Sequence, residues 1–159
     1  MGDATVDELT LPQDFVDAVV RRATARGIDG EVAAAFVRGV LRRLPAELAE
    51  GADPRAALTS MLELLVQVAD SPGPMVRIDH RPPSLDPHGS PVGIVQIHGL
   101  DRPFLLSTVL ATLRTLDIGT LRALHPIIGV ERDDDGHLTR VLPARTAERR
   151  ESIIHIELD

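Results

Sequence analysis

The chain contains no cysteine, no lysine, no tyrosine and no tryptophan, and only three phenylalanines. Without cysteine there is no disulfide framework, no thiol nucleophile and no thiolate metal site. With so few aromatics, a core has to be built from Leu, Val, Ile and Ala. No stretch approaches the roughly eighteen consecutive apolar residues of a membrane span, and no basic start leads into an apolar run. The expectation is a cytoplasmic protein with no membrane partner. A net charge of −7 argues against nucleic acid as a partner, because phosphate binding needs a basic patch. The basic residues are all Arg, a pattern read as coding bias, and the pairs Arg21-Arg22, Arg42-Arg43 and Arg149-Arg150 stand isolated.

Familiar catalytic signatures are missing too. There is no G-x-G-x-x-G, no P-loop, and no G-x-S-x-G around Ser107. No pair of carboxylates and no His–acid set stands out as catalytic. The residues alone describe a binding or regulatory module. They leave open whether it is part of an enzyme.

What is present centres on Val92–Leu116, VGIVQIHGLDRPFLLSTVLATLRTL. Apolar residues on both faces of Val92–His98 predict a covered strand. Gly99 is expected to let the chain turn sharply, Asp101 to cap a helix, and Pro103 to sit in its first turn. Leu105, Val109 and Leu113, with Leu106 and Leu110 beside them, then form one apolar helical face. A strand feeding a tight turn into a helix start aims backbone N–H groups at one point. Gly99, Leu100, Asp101, Arg102, Pro103 and Phe104 are therefore the candidate ligand site, for a small anion or an amino-acid carboxylate. The alternative is a plain strand–helix connection.

Before that unit the periodicity is helical. Met1–Leu9 reads as frayed, and Thr10–Gln13 as a capping box ahead of a stripe of Phe15, Val16, Val19, Val20 and Ala23. Gly27 stands at a C-cap position and Asp29 caps a second helix carrying Val32, Phe36, Val40 and Leu44, ended by Pro45. Asp53-Pro54 starts a third, with Leu58, Met61, Leu62, Leu65, Val66 and Ala69 on its apolar side. Ser71–Pro74 breaks the pattern. Met75–Asp79 then reads as a short strand with Val76 and Ile78 inward, and His80–Pro91 as a Pro-rich loop or linker.

After the opening unit, Ile118–Asp133 is β-rich but interrupted by Pro126, which marks an edge strand or bulge. Asp133–Gly136 is a hairpin turn into His137–Leu142. Ser152–Leu158 alternates Ile154, Ile156 and Leu158 with Ile153, His155 and Glu157, and reads as an exposed apolar strand needing cover. The order β-α-β-β stops short of a ferredoxin-like βαββαβ. The chain reads as a piece of something longer.

Six histidines invite a metal reading. His98, His125 and His155 lie in or beside strands but share no compact spacing, so no metal site is assigned. His80, His88 and His137 fall in loops. Asp133-Asp134-Asp135-Gly136 lacks the closing Glu of a calcium loop, since Ala144 holds that place.

Three segments in order carry a family resemblance: Pro103–Leu110, His125–Asp133 with Asp135-Gly136, and Glu151–Asp159. Gly99–Leu106, followed by Leu116-Asp-Ile-Gly119, resembles the ACT domain. Together the segments resemble the N-terminal ACT region of the large bacterial NAD-specific glutamate dehydrogenases, over roughly residues 30–159. The fold this implies is α+β: a helical N-terminal segment (1–74), a short strand with a Pro-rich linker (75–91), and an incomplete ACT/ferredoxin-like β-α-β-β sheet (92–159) lacking its final helix and strand. The resemblance further implies a non-catalytic regulatory or assembly segment. NAD and glutamate would bind elsewhere in the parent, so no cofactor is expected in this chain. Partners would be an amino-acid effector at Gly99–Phe104 and further copies of the chain or the remainder of the dehydrogenase. The second reading is a stand-alone ACT-like sensor of a small amino acid, acting as a dimer.

Overall fold

Helix α1 (Gln13–Thr24) forms where the apolar residues repeat every three to four positions, and it buries Val16, Val19 and Ala23. It ends as the sequence predicts: Gly27 adopts φ +83°, a left-handed conformation open to glycine, and the Ile28 N–H turns back to the Ala23 carbonyl. Asp29 caps α2 (Gly30–Leu41), accepting from the backbone N–H groups of Glu31 at 2.8 Å and Val32 at 3.1 Å. Helix α3 (Pro54–Asp70) buries Leu62, Leu65 and Val68. The computed structural model describes residues 13–42, 54–81 and 90–159. The frayed start, the Thr10 capping box, Leu44, Pro45, Asp53 and most of the Pro-rich loop, His88 included, lie outside the described residues.

The remaining elements are β1 (Met75–Arg81), β2 (Val92–Leu100), α4 (Leu105–Thr115), β3 (Thr120–Leu124), β4 (Ile127–Arg132), β5 (Leu138–Leu142) and β6 (Arg150–Leu158). They form one antiparallel sheet in the order β1-β2-β6-β4-β5, with β3 also paired to β6. Pro126 interrupts what would otherwise be one strand. β3 takes the Leu158–His155 end of β6 and β4 the Ser152–Arg150 end, while the Pro126 carbonyl still accepts from Ile153 N–H. The Asp133–Gly136 turn joins β4 to β5 as expected, with Asp133 Oδ1 accepting from the N–H groups of Asp135 and His137.

Helices α1–α3 pack on one face, where their apolar residues merge with Ile128, Val130, Leu138 and Ile153. Helix α4 crosses the other face, over Ile154 and Ile156. The β6 alternation thus assigns its two faces correctly. This is the α+β, ACT-like arrangement that the sequence implies. Strand β1 lies outside β2, and among the described residues α4 is the one helix on its face.

Two expectations fail here. Ser152–Leu158 is no exposed strand: β6 is the centre of the sheet, with Ile153, Ile154 and Ile156 fully buried. Val76 and Ile78 do not face inward; they are 66% and 71% exposed. Met75, Arg77 and Asp79 alternate with them and are half-buried toward the α1–α3 side, where Arg77 approaches Glu63 of α3.

Candidate functional site

The six candidate residues follow one another from the end of β2 to the start of α4, but the turn is not built as the sequence implies. Gly99 does not turn the chain. It stays in the ladder opposite Ser152, and Leu100 still pairs with Glu151. Asp101 does not cap the helix either. The residue before α4 is Phe104, with φ +65° and no side-chain cap, and Pro103 falls ahead of the helix. The left-handed conformation is sterically costly for a residue with a Cβ, about 1–2 kcal/mol. Phe104 nevertheless holds its ring 81% exposed, alongside exposed Leu100, Arg102 and Pro103.

Asp101 is committed to β6 instead. Its backbone N–H donates to the Arg150 carbonyl at 3.0 Å, and its Oδ1 accepts from the Ser152 hydroxyl at 2.7 Å. His125 Nε2 lies 3.1 Å from the same Ser152 Oγ. These three residue types make a hydrolytic relay only when histidine stands between the other two. Here serine is in the middle, is fully buried, and gives its proton to the carboxylate. The order positions a carboxylate; it does not activate a nucleophile.

Directly beneath lies a group that sequence reasoning missed. Glu151 is fully buried and ionised among three donors. Arg132 approaches with Nε at 2.8 Å from Oε1 and Nη2 at 2.7 Å from Oε2. His98 Nε2 stands 2.7 Å from Oε2 and Arg149 Nε 2.9 Å from Oε1. Burial pushes the Glu151 carboxyl up, but hydrogen bonds from Arg132, His98 and Arg149 reverse this and leave its pKa at about 2, against 4.5. Since an ionised carboxylate only accepts, the His98 Nε2 facing it bears a hydrogen, and among the described residues its buried Nδ1 has no partner. Arg132 also donates to the carbonyls of Val68 in α3 (2.7 Å) and Gly136 in the hairpin (2.8 Å). One guanidinium thus joins helix layer, sheet and turn. The signal was present in Glu151-Ser152 and Arg132 of the family segments, but a charged side chain in a strand reads first as surface.

The histidines do not converge. His98 serves Glu151, His125 serves Ser152, and His155 Nδ1 meets Gln96 Nε2 at 3.2 Å. Nearby Glu157, also buried, accepts from Arg122 at 2.6 Å. Among the described residues, the one group with ligand atoms close enough for a cation is Asp133, Asp135 and His137, all exposed and already part of the hairpin turn. Gly129 in β4 is required by contact: a side chain there would collide with Ala147 and the Leu142 carbonyl. No described helix is long and apolar enough to cross a membrane.

The family model of the glutamate dehydrogenase ACT1 domain covers residues 36–159. No curated protein and no solved structure matches the chain.

Proposed function

Because the chain belongs to the glutamate dehydrogenase ACT1 domain family, we propose that it is a non-catalytic regulatory and assembly segment of an NAD-specific glutamate dehydrogenase. Glutamate oxidation and NAD binding are then the work of other parts of that enzyme, in the cytoplasm. The observation that carries the reading is the build of the Gly99–Phe104 turn. An exposed, uncapped helix start stands beside the half-buried carboxylate of Asp101, which Ser152 holds in place. Such a surface recognises; it lacks a relay that could turn a substrate over. An amino-acid effector fits it, with its ammonium toward Asp101 and its carboxylate toward the α4 N-terminus. That fit also supports the second reading, a stand-alone amino-acid sensor acting as a dimer.

Two measurements test this. The isolated chain should not reduce NAD in the presence of glutamate, and turnover above background would overturn the non-catalytic reading. Calorimetric titration with the common amino acids should give heat for the wild type and at least tenfold weaker binding for Asp101→Ala. Absence of heat with every amino acid would remove sensing and leave assembly.

A further inference from the structure

Helix α3 meets the sheet through polar side chains as well as through its apolar stripe. Glu63 and Gln67 stand one turn apart, at i and i+4, and so share a face of α3. Glu63 Oε2 lies 3.8 Å from Arg77 Nη1 of β1, and the Val68 carbonyl, next after Gln67, accepts from Arg132 Nη2 at 2.7 Å. His98 links these two attachments from below. It pairs with Met75 of β1, two residues before Arg77 and on the same side of the sheet, and its Nε2 bonds to the Glu151 carboxylate that Arg132 also holds.

The seam between α3 and these strands contains two acceptors with nothing to accept from. His98 is 1% exposed, and neither its Nδ1 nor the buried Oε1 of Gln67 has a hydrogen-bond partner among the described residues. With a hydrogen on Nε2, the His98 Nδ1 can only accept, as can an amide oxygen. Buried polar atoms left this way are costly, so a native structure that keeps them calls for an explanation. The missing group is one that donates in more than one direction.

We propose that this seam binds an ammonium ion, which donates to His98 Nδ1 and Gln67 Oε1 with the Glu63 carboxylate as its counter-charge. An ion made only of N–H donors matches atoms that can only accept. The neighbouring cations leave room for it in charge: Arg132 and Arg149 are committed to Glu151, and Arg77 lies closer to Asp79, at 3.0 Å, than to Glu63. A zinc ion needs three or four ligands of histidine, cysteine or carboxylate type, and among the described residues no such group of three is found here. Sodium and potassium favour oxygen, whereas one of the two acceptors is a ring nitrogen. This deepens the regulatory part of the reading above and rests on it. Oxidation of glutamate to its 2-oxo acid releases ammonium, so the seam would report a product of the parent enzyme and draw α3 onto β2 when it is abundant.

Titration of the full chain with ammonium chloride, against sodium and potassium chloride at equal ionic strength, tests the site. Ammonium alone should raise the thermal midpoint saturably and move the His98 Nδ1 resonance in nitrogen NMR. Gln67→Met keeps the length of a half-buried side chain outside the Glu151 cluster. It should fold as the wild type does and bind ammonium at least tenfold more weakly. Gln67→Glu adds a negative charge beside the ion and should bind at least threefold more tightly. A His98 resonance that ignores ammonium, equal shifts with sodium or potassium, or unchanged affinity in both Gln67 variants would overturn the site and leave a bridging water as the donor. None of these outcomes touches the non-catalytic reading, which the NAD reduction assay tests by itself.

Discussion

Strand β6 shows opposite chemistry to the two layers that sandwich it. Toward α1–α3 it presents Glu151, Ile153, His155 and Glu157, with both carboxylates buried and bonded to arginine. Toward α4 it presents Ser152, Ile154, Ile156 and Leu158, an apolar stripe that meets Leu113 and the half-buried leucines of one helix. The apolar side tolerates any covering element of suitable volume. The ionic side does not, because a buried carboxylate accepts only donors placed at hydrogen-bond distance. The α1–α3 side therefore specifies which helix lies where, through Arg132 bonded to the Val68 carbonyl. The α4 side supplies burial and leaves β1 partly bare.

The largest effect should come from breaking the ionic side. Arg132→Met removes two bonds to Glu151 and the links to Val68 and Gly136, leaving a buried carboxylate underpaired. The expected loss is about 3–5 kcal/mol in urea unfolding. Acid should act on the same group. The folded-state pKa of Glu151, about 2, lies below its ordinary 4.5. Its contribution is therefore present above pH 4.5 and lost as the pH falls toward 2, on the order of 3 kcal/mol in all. Urea midpoints of wild type and Glu151→Gln, compared across that window, should converge as the pH drops. The smallest effect is a difference between two substitutions, one on each face. Ile153→Ala and Ile154→Ala each delete a fully buried side chain, with costs of about 2–5 kcal/mol. Ile153 is enclosed by several elements and should fall near the top of that range. Ile154 lies under a single helix able to settle, and should cost about 1 kcal/mol less.

How much of this was legible in the sequence follows the range of each interaction. Asp29, Gly27, Pro126 and the Asp133–Gly136 turn act on their own neighbours, and each was read correctly. Helix stripes and the β6 alternation follow from periodicity alone. Alternation, however, says which residues share a face and not which face is covered, so it predicts Val76 and Ile78 inward where both are exposed. The turn was misread for a related reason. Asp101 has the residue type of a cap, but Ser152, far along the chain, claims its carboxylate. Gly99 has the residue type of a turn, but pairing with β6 keeps it extended through Leu100. Glu151 escapes a local reading because two of its donors, His98 and Arg132, stand 53 and 19 residues away along the chain.

The central place of β6 has a consequence for how the molecule folds. Among the described residues only two strand pairs, β1–β2 and β4–β5, join strands that follow one another in sequence. Every other ladder in the sheet uses β6, and it joins partners as remote as Ile97 and Ile154. Closing such distant pairs is slow because chain entropy is lost before contacts repay it. The two strand pairs and the helices should therefore gather first as separate pieces, with β6 arriving last as the strand that locks them into one cooperative unit.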